Sequence, residues 1–157
     1  MTALNRRDVC VALSSFAALA MGAEGQSAPG GASAGVHDGT EPVLSAARVY
    51  RFEDLAVTTG PNGESRAVLR GVLPTGEVVE MHETTLLPGH MPHPAHTHRH
   101  SELMMIREGT LEFAMDGRTE RAGPGGVLYA ASGVRHGLKN VGETPANYCV
   151  IAIGRES

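Results

Sequence analysis

The chain has 157 residues, 41% of them hydrophobic and 19% charged, with 20 Gly, 9 Pro, 4% aromatics and no Trp. That length fits one domain. A balance of 13 Lys+Arg against 17 Asp+Glu, net charge -4, lacks the clustered basic footprint of a nucleic-acid binder, and the apolar content excludes a wholly disordered chain.

The N-terminus reads as an address. Arg6 and Arg7 precede the apolar, small-residue run Val9 to Met21, and Ala18-Leu19-Ala20 fits the small-x-small rule for cleavage after Ala20. Ala20-Met21-Gly22 is a second candidate. The run is too short for a membrane span, which takes about 20 apolar residues, and no later segment qualifies. Residues 1–20 are therefore expected to be a signal peptide, leaving a mature chain with no membrane span in the periplasm or secreted. The arginine pair resembles a twin-arginine export signal, although Asn5-Arg6-Arg7-Asp8-Val9-Cys10-Val11 lacks the usual Phe-Leu-Lys, so general secretion is the alternative route. Cys10 leaves with the signal, and Cys149, in the apolar run Tyr148 to Ile153, then reads as a buried thiol without an intrachain partner. Residues 21–45, rich in Gly, Ala and Ser as far as Thr40, read as a flexible tether, and residues 46–157 as the folded domain.

From residue 46 onward short strands alternate with turns. Val49 to Phe52 reads as an entry strand, followed by the turn Thr59-Gly60-Pro61-Asn62-Gly63. Arg66 to Leu73 closes at Pro74-Thr75-Gly76, and Val78 to Leu87 stops at Pro88-Gly89. Glu102 to Arg107 ends at Gly109. Thr110 to Met115 ends at Asp116-Gly117, a strong hairpin signal because both central positions of the favoured turn need positive φ. Val127 to Ala130, Arg135 to Leu138 and Ala146 to Ile153 complete the set. Strands at roughly 8–12-residue spacing, with no useful helix and no internal repeat, predict an all-β sandwich or small barrel. Glu102, Met104 and Ile106 share one strand face while Leu103 and Met105 share the other, which predicts cover on the outer face as well.

The chemistry is concentrated in one corner. Five of the eight histidines fall between His90 and His100, and His96, His98 and His100 alternate, with Glu102 in the same parity. On an extended chain these side chains share a face. Imidazoles and a carboxylate converging there suit a divalent transition metal, Mn, Fe, Ni, Cu or Zn; a solvated His-rich tract is the plain alternative. His136 stands apart, starting a strand just after the turn at Gly133.

Together these residues resemble the two-motif signature of the cupin family. Its first motif, Gly-x(5)-His-x-His-x(3,4)-Glu-x(6)-Gly, is met by His96, His98, Glu102 and Gly109, with Gly89 one residue too far upstream. Its second, Gly-x(5)-Pro-x-Gly-x(2)-His-x(3)-Asn, is met by Gly125, Gly133, His136 and Asn140, with Ala131 in place of the usual Pro. The resemblance spans about residues 46–154 and implies a jelly-roll barrel, or double-stranded β-helix. It implies one metal ion held by His96, His98, Glu102 and His136, with two coordination positions open to water, dioxygen or a chelating substrate. His100 takes a rim or outer-sphere role; Glu80, His82, Arg135 and Tyr148 are further pocket candidates; His90 and His93 are loop residues. A partner subunit covering the outer sheet face, and so a homodimer, is also implied.

Cupins with this ligand set include dioxygenases, decarboxylases, isomerases and lyases. The resemblance favours a metal-dependent oxidoreductase of the dioxygenase type acting on a small, oxygen-chelating substrate. A non-enzymatic binder of metal or a small ligand is the other reading, favoured by the extra imidazoles at positions 90, 93 and 100. Titratable groups close to the open metal positions would separate the two.

Overall fold

The computed structural model describes residues 41–154, so the expected signal peptide, Cys10 and residues 21–40 of the expected tether lie outside the described residues. The chain from Glu41 is nine strands: β1 (Val57–Gly60), β2 (Gly63–Val72), β3 (Val78–Leu86), β4 (Ser101–Glu108), β5 (Leu111–Met115), β6 (Arg118–Ala122), β7 (Val127–Ala130), β8 (His136–Asn140) and β9 (Ala146–Gly154). No α-helix occurs among the described residues, and no helix there is long and apolar enough to cross a membrane.

Six strands form one sheet in the order β1-β2-β3-β9-β4-β7, and three form a second in the order β6-β5-β8, every strand pairing being antiparallel. Leu86, Met104, Ile106, Leu128, Tyr148 and Val150 of the large sheet pack with Leu111, Phe113 and Leu138 of the small one into a single core. This is the all-β barrel that the strand spacing allowed and the jelly-roll form that the family resemblance implied. The strand alternation holds on β4: Met104 and Ile106 are each 3% exposed, whereas Met105 is 48% exposed. Asp116 and Gly117 both take positive φ, 45° and 74°, and close the β5–β6 hairpin in the way their sequence predicts.

The structure corrects the reading near the N-terminal edge. Val49 to Phe52 is not a strand; Val49 and Phe52 are exposed and the chain makes a 3-10 turn at Phe52–Asp54. Residues 42–44, assigned to the tether, hydrogen-bond to β2 through Leu44 N to Val72 O and Val72 N to Pro42 O, both 2.8 Å. β1 and β6 were absent from the expected strands because neither carries a buried residue to mark a period. The outer face of the large sheet is covered in part by the chain itself: Leu44, Ala46 and Tyr50 face Leu69, Val79, Met81 and Ile151 across a cleft of about 290 Å³. Met105, Val127 and Tyr129 remain exposed. Cys149 is half-buried rather than buried, and burial, with Glu83 adding to it, pushes its thiol pKa up, away from the reactive thiolate.

Asn140 locks the end of β8 to the chain that leads into the histidine loop. Its Nδ2 donates to Leu86 O and Thr144 O and its Oδ1 accepts from Gly142 N, each at 2.9 Å, while its backbone bonds Gly89 and His90. The side chain is fully buried, so its removal strands three polar groups. Asn140→Ala is expected to cost about 2–3 kcal/mol. Urea unfolding would read this as a lower midpoint at unchanged m value; a loss below about 0.5 kcal/mol would mean water replaces those bonds.

Candidate metal centre

Two strands and one loop bring the site together. Glu102 projects inward from β4 and His136 opens β8, while His96 and His98 ride on the loop between β3 and β4. Pro88, Pro92 and Pro94 keep that loop out of the sheet ladder. It is tied down by backbone bonds instead: His96 N to His136 O and His136 N to His96 O, each 3.0 Å, and Gly133 N to His98 O at 2.8 Å. The close approach needs glycine at 137, where a Cβ would sit 2.9 Å from Ala95 Cβ.

The ligand-type atoms of His96, His98 and His136 all lie within 4.8 Å of one another, as do those of His98, His100 and Glu102. Glu102 Oε1 is 3.4 Å from His98 Nε2, and Oε2 is 3.4 Å from His136 Nε2. Donor atoms sharing one ion at about 2.1 Å stand roughly 3.0–3.4 Å apart, so these spacings already suit ligands of a common cation. The tautomers agree. His98 Nδ1 donates to His100 O at 2.8 Å and His136 Nδ1 donates to Val134 O at 3.0 Å. When either ring is neutral, its bare Nε2 lone pair therefore points at a carboxylate oxygen. His98 Nε2, His136 Nε2 and His96 Nδ1 are buried without a hydrogen-bond partner. Acceptors gathered against acceptors repel, and a divalent cation among them removes the conflict. The donor set thus fits a transition metal.

Electrostatics point the same way. Burial works to raise the Glu102 pKa, but the hydrogen bond from His100 and the nearby rings of His98, His100 and His136 outweigh it and hold the carboxyl below its usual range. Burial, with its neighbours His93, His136 and His98, lowers the His96 pKa and favours the neutral ring that a metal requires.

Two cavities adjoin the cluster. The inner one, about 330 Å³, runs into the barrel along Met104, Leu138, Tyr148 and Val150 to Glu102 and His136. The outer one, about 670 Å³, opens at the mouth beside His96, His98, His100 and Glu102. His82 borders both, its inward direction set by its register opposite Val150, and burial lowers its pKa. Glu80 borders the outer cavity and is held 2.6 Å from Arg70. Tyr148 lines the inner cavity opposite Thr84, and burial raises its pKa far above the ordinary phenol range.

The structure does not bring Arg135 to the site. It is exposed, borders neither cavity and donates from Nη2 to Ala95 O at 3.1 Å. His90 also lies outside, with Nδ1 3.0 Å from Asn62 Oδ1, while His93 sets its ring edge-on to His96 with centroids 4.3 Å apart. His96, His98 and His100 do not share a strand face as the alternation predicted; they sit on a turn-rich loop, and His98 and His100 stack with centroids 3.7 Å apart. Arg70 went unnoticed in the sequence, although an arginine in the strand-like run Ala67 to Val72 was the available signal.

A family model described as a cupin domain matches residues 82–152. Among solved structures, KdgF from Halomonas sp. is 16% identical with a TM-score of 0.61, covering 71% of this chain and 97% of that one. A predicted oxalate decarboxylase from Thermotoga maritima is 20% identical with a TM-score of 0.57, covering 68% and 99%. A variant oxalate decarboxylase of B. subtilis is 21% identical with a TM-score of 0.55, covering 71% of this chain and 32% of that one. These likenesses establish the shared fold. A search of curated proteins found no match.

Arg135→Ala is expected to leave metal affinity within about twofold in a competition titration. A loss of tenfold or more, the size typical of partners that orient ligands, would place Arg135 back at the centre.

Proposed function

The chain is a cupin through its domain at residues 82–152, and from that premise we propose that it is a metal protein whose single ion is held by His96, His98, Glu102 and His136. The observation that carries this reading is the trio of buried, unpartnered imidazole nitrogens around a carboxylate whose two oxygens face different rings. Three imidazoles and one carboxylate suit Mn, Fe, Ni, Cu or Zn. Once bound, such an ion polarises an oxygen ligand or, if redox-active, activates dioxygen.

Within that reading the favoured activity is oxidation of a small, oxygen-chelating substrate in the manner of a dioxygenase. The inner cavity supports it: Met104, Leu138 and Val150 offer an apolar wall for an organic body, next to the hydroxyls of Thr84 and Tyr148. His82, bordering both cavities, is the ring placed to hold or move a proton at a bound ligand. Oxalate decarboxylases among the similar structures make decarboxylation the nearest alternative reaction. A non-enzymatic metal or small-ligand binder is the second reading, favoured by the further imidazoles of His93 against His96 and of His100 against His98 and Glu102.

We place the protein in the periplasm or outside the cell on the strength of the signal-like residues 1–20. We also take it as a homodimer, because Met105, Val127 and Tyr129 leave apolar surface on the outer sheet face.

Elemental analysis of untagged mature protein from its export compartment tests the core claim. About one Mn, Fe, Ni or Cu per chain, with oxygen uptake on small chelating substrates, is the expected result; zinc in variable amounts, or several ions per chain, favours the binder. His98→Ala is expected to lose most of the bound metal and to melt at lower temperature. Unchanged metal content in that variant would refute the ligand assignment. His93→Ala is expected to keep its metal stoichiometry, since that ring is exposed, sits edge-on to His96 at the inner cavity and is not one of the assigned ligands; a halved content would mark a dispersed His-rich binder.

A further inference from the structure

The inner cavity carries a row of hydroxyls that the metal centre does not use. Thr58 pairs with Ser65, Ser65 with Thr84, and Thr84 with Tyr148, so the four stand opposite one another across β1, β2, β3 and β9. Directly paired residues share a sheet face, and Tyr148, a core residue, fixes that face as the inner one. All four line the cavity. The row covers three strand spacings, about 14 Å, from exposed Thr58 on the edge strand to buried Tyr148. In the adjacent row Val150 pairs with Met104, and Glu102 follows one step further along the inner face of β4.

We infer that the inner cavity selects an uncharged ligand, with hydroxyl or carbonyl oxygens along the row Thr58, Ser65, Thr84 and Tyr148 and its carbon face on Val150 and Met104. A hydroxyl both donates and accepts, so the row matches such oxygens in either sense. A charged tail finds no partner there. Among the described residues no lysine or arginine lines this cavity, whereas Arg70 and Arg99 both border the outer one. Glu64 reaches the lining, but it neighbours Ser65 on β2 and so faces the other side of the sheet, where its Oε1 accepts from Arg66 Nη1 at 2.6 Å. Burial keeps the Tyr148 phenol neutral and a donor. A carboxylate moved into this lining would lose its water without gaining a counter-charge. The inference names the substrate class of the proposed centre, and rests on the metal reading only for the end of the ligand that meets Glu102 and His136.

The test is calorimetric titration of the full chain, metal-free and Zn²⁺-loaded, with 3,4-dihydroxybenzamide and 3,4-dihydroxybenzoate. The two share a chelating head and nearly the same shape and differ in the charge of the tail; affinities for the loaded chain are divided by those for aqueous Zn²⁺. The amide is expected to bind about tenfold tighter in the loaded chain, and to be preferred, at lower affinity, in the metal-free one. Thr84→Val and Ser65→Ala should each weaken amide binding about three- to tenfold at unchanged Zn²⁺ content. Ser65→Lys should recover binding of the benzoate, and thermal melts show that each variant is folded. Equal or tighter binding of the benzoate, amide binding unmoved by both Thr84→Val and Ser65→Ala, or binding of neither compound overturns the inference, and leaves the metal centre standing where Zn²⁺ still binds. A chain that takes up no Zn²⁺ yet prefers the amide overturns the metal reading and supports the hydroxyl row.

Discussion

The structure turns on one short antiparallel contact, the pair of 3.0 Å backbone bonds between His96 and His136. Forty residues separate them in sequence, yet this bridge fixes the histidine loop to the first residue of β8. With it in place, the His96 and His136 rings lie 5.1 Å apart by centroid, and Glu102 Oε2 on β4 comes to 3.4 Å from His136 Nε2. Each neighbouring feature serves that contact. Gly137 removes a side chain that would collide with Ala95, Gly133 bonds His98 O, and Asn140 holds the other end of β8 to the chain entering the loop.

The barrel around it is rigid for an ordinary reason. Two sheets bury one continuous apolar core, and antiparallel ladders satisfy their backbone groups without long connections. A rigid frame lets the site keep polar atoms in a state that a flexible loop would relieve. Three imidazole nitrogens are buried without a hydrogen-bond partner, and for two of the rings the bonds from His98 Nδ1 to His100 O and from His136 Nδ1 to Val134 O set the direction in which Nε2 points. Preorganisation of this kind lowers the cost of binding a cation, since the ligands are already in place.

The two cavities give the centre different surroundings on its two sides. Inside, apolar side chains and the hydroxyls of Thr84 and buried Tyr148 line the approach to Glu102 and His136; at the mouth, Glu80, Arg70 and the stacked pair His98–His100 make a charged, solvent-facing rim. An organic body would favour the first, and water or a hydrated ion the second.

Much of this was legible in the order of residues. Turn dipeptides and alternating apolar positions marked most strands, because a half-buried strand must repeat every second residue. The His-x-His, Glu and His-x(3)-Asn spacings pointed to the barrel through their resemblance to the cupin signature, although His96 and His98 lie on a loop rather than a strand. The edges were not legible: β1 and β6 bury nothing in their strand interiors beyond a partial Ala122, so no period distinguishes them. Nor was the inward face of His82, which only its register opposite Val150 settles, because β3 buries residues on both faces. Arg135 looked like a site residue by adjacency to His136, but alternation along the chain sends neighbours in opposite directions, and it faces outward. Which rings meet which oxygen of Glu102 depends on loop closure over tens of residues. Local sequence specifies the donors; their convergence is a property of the backbone bonds that form between distant strands.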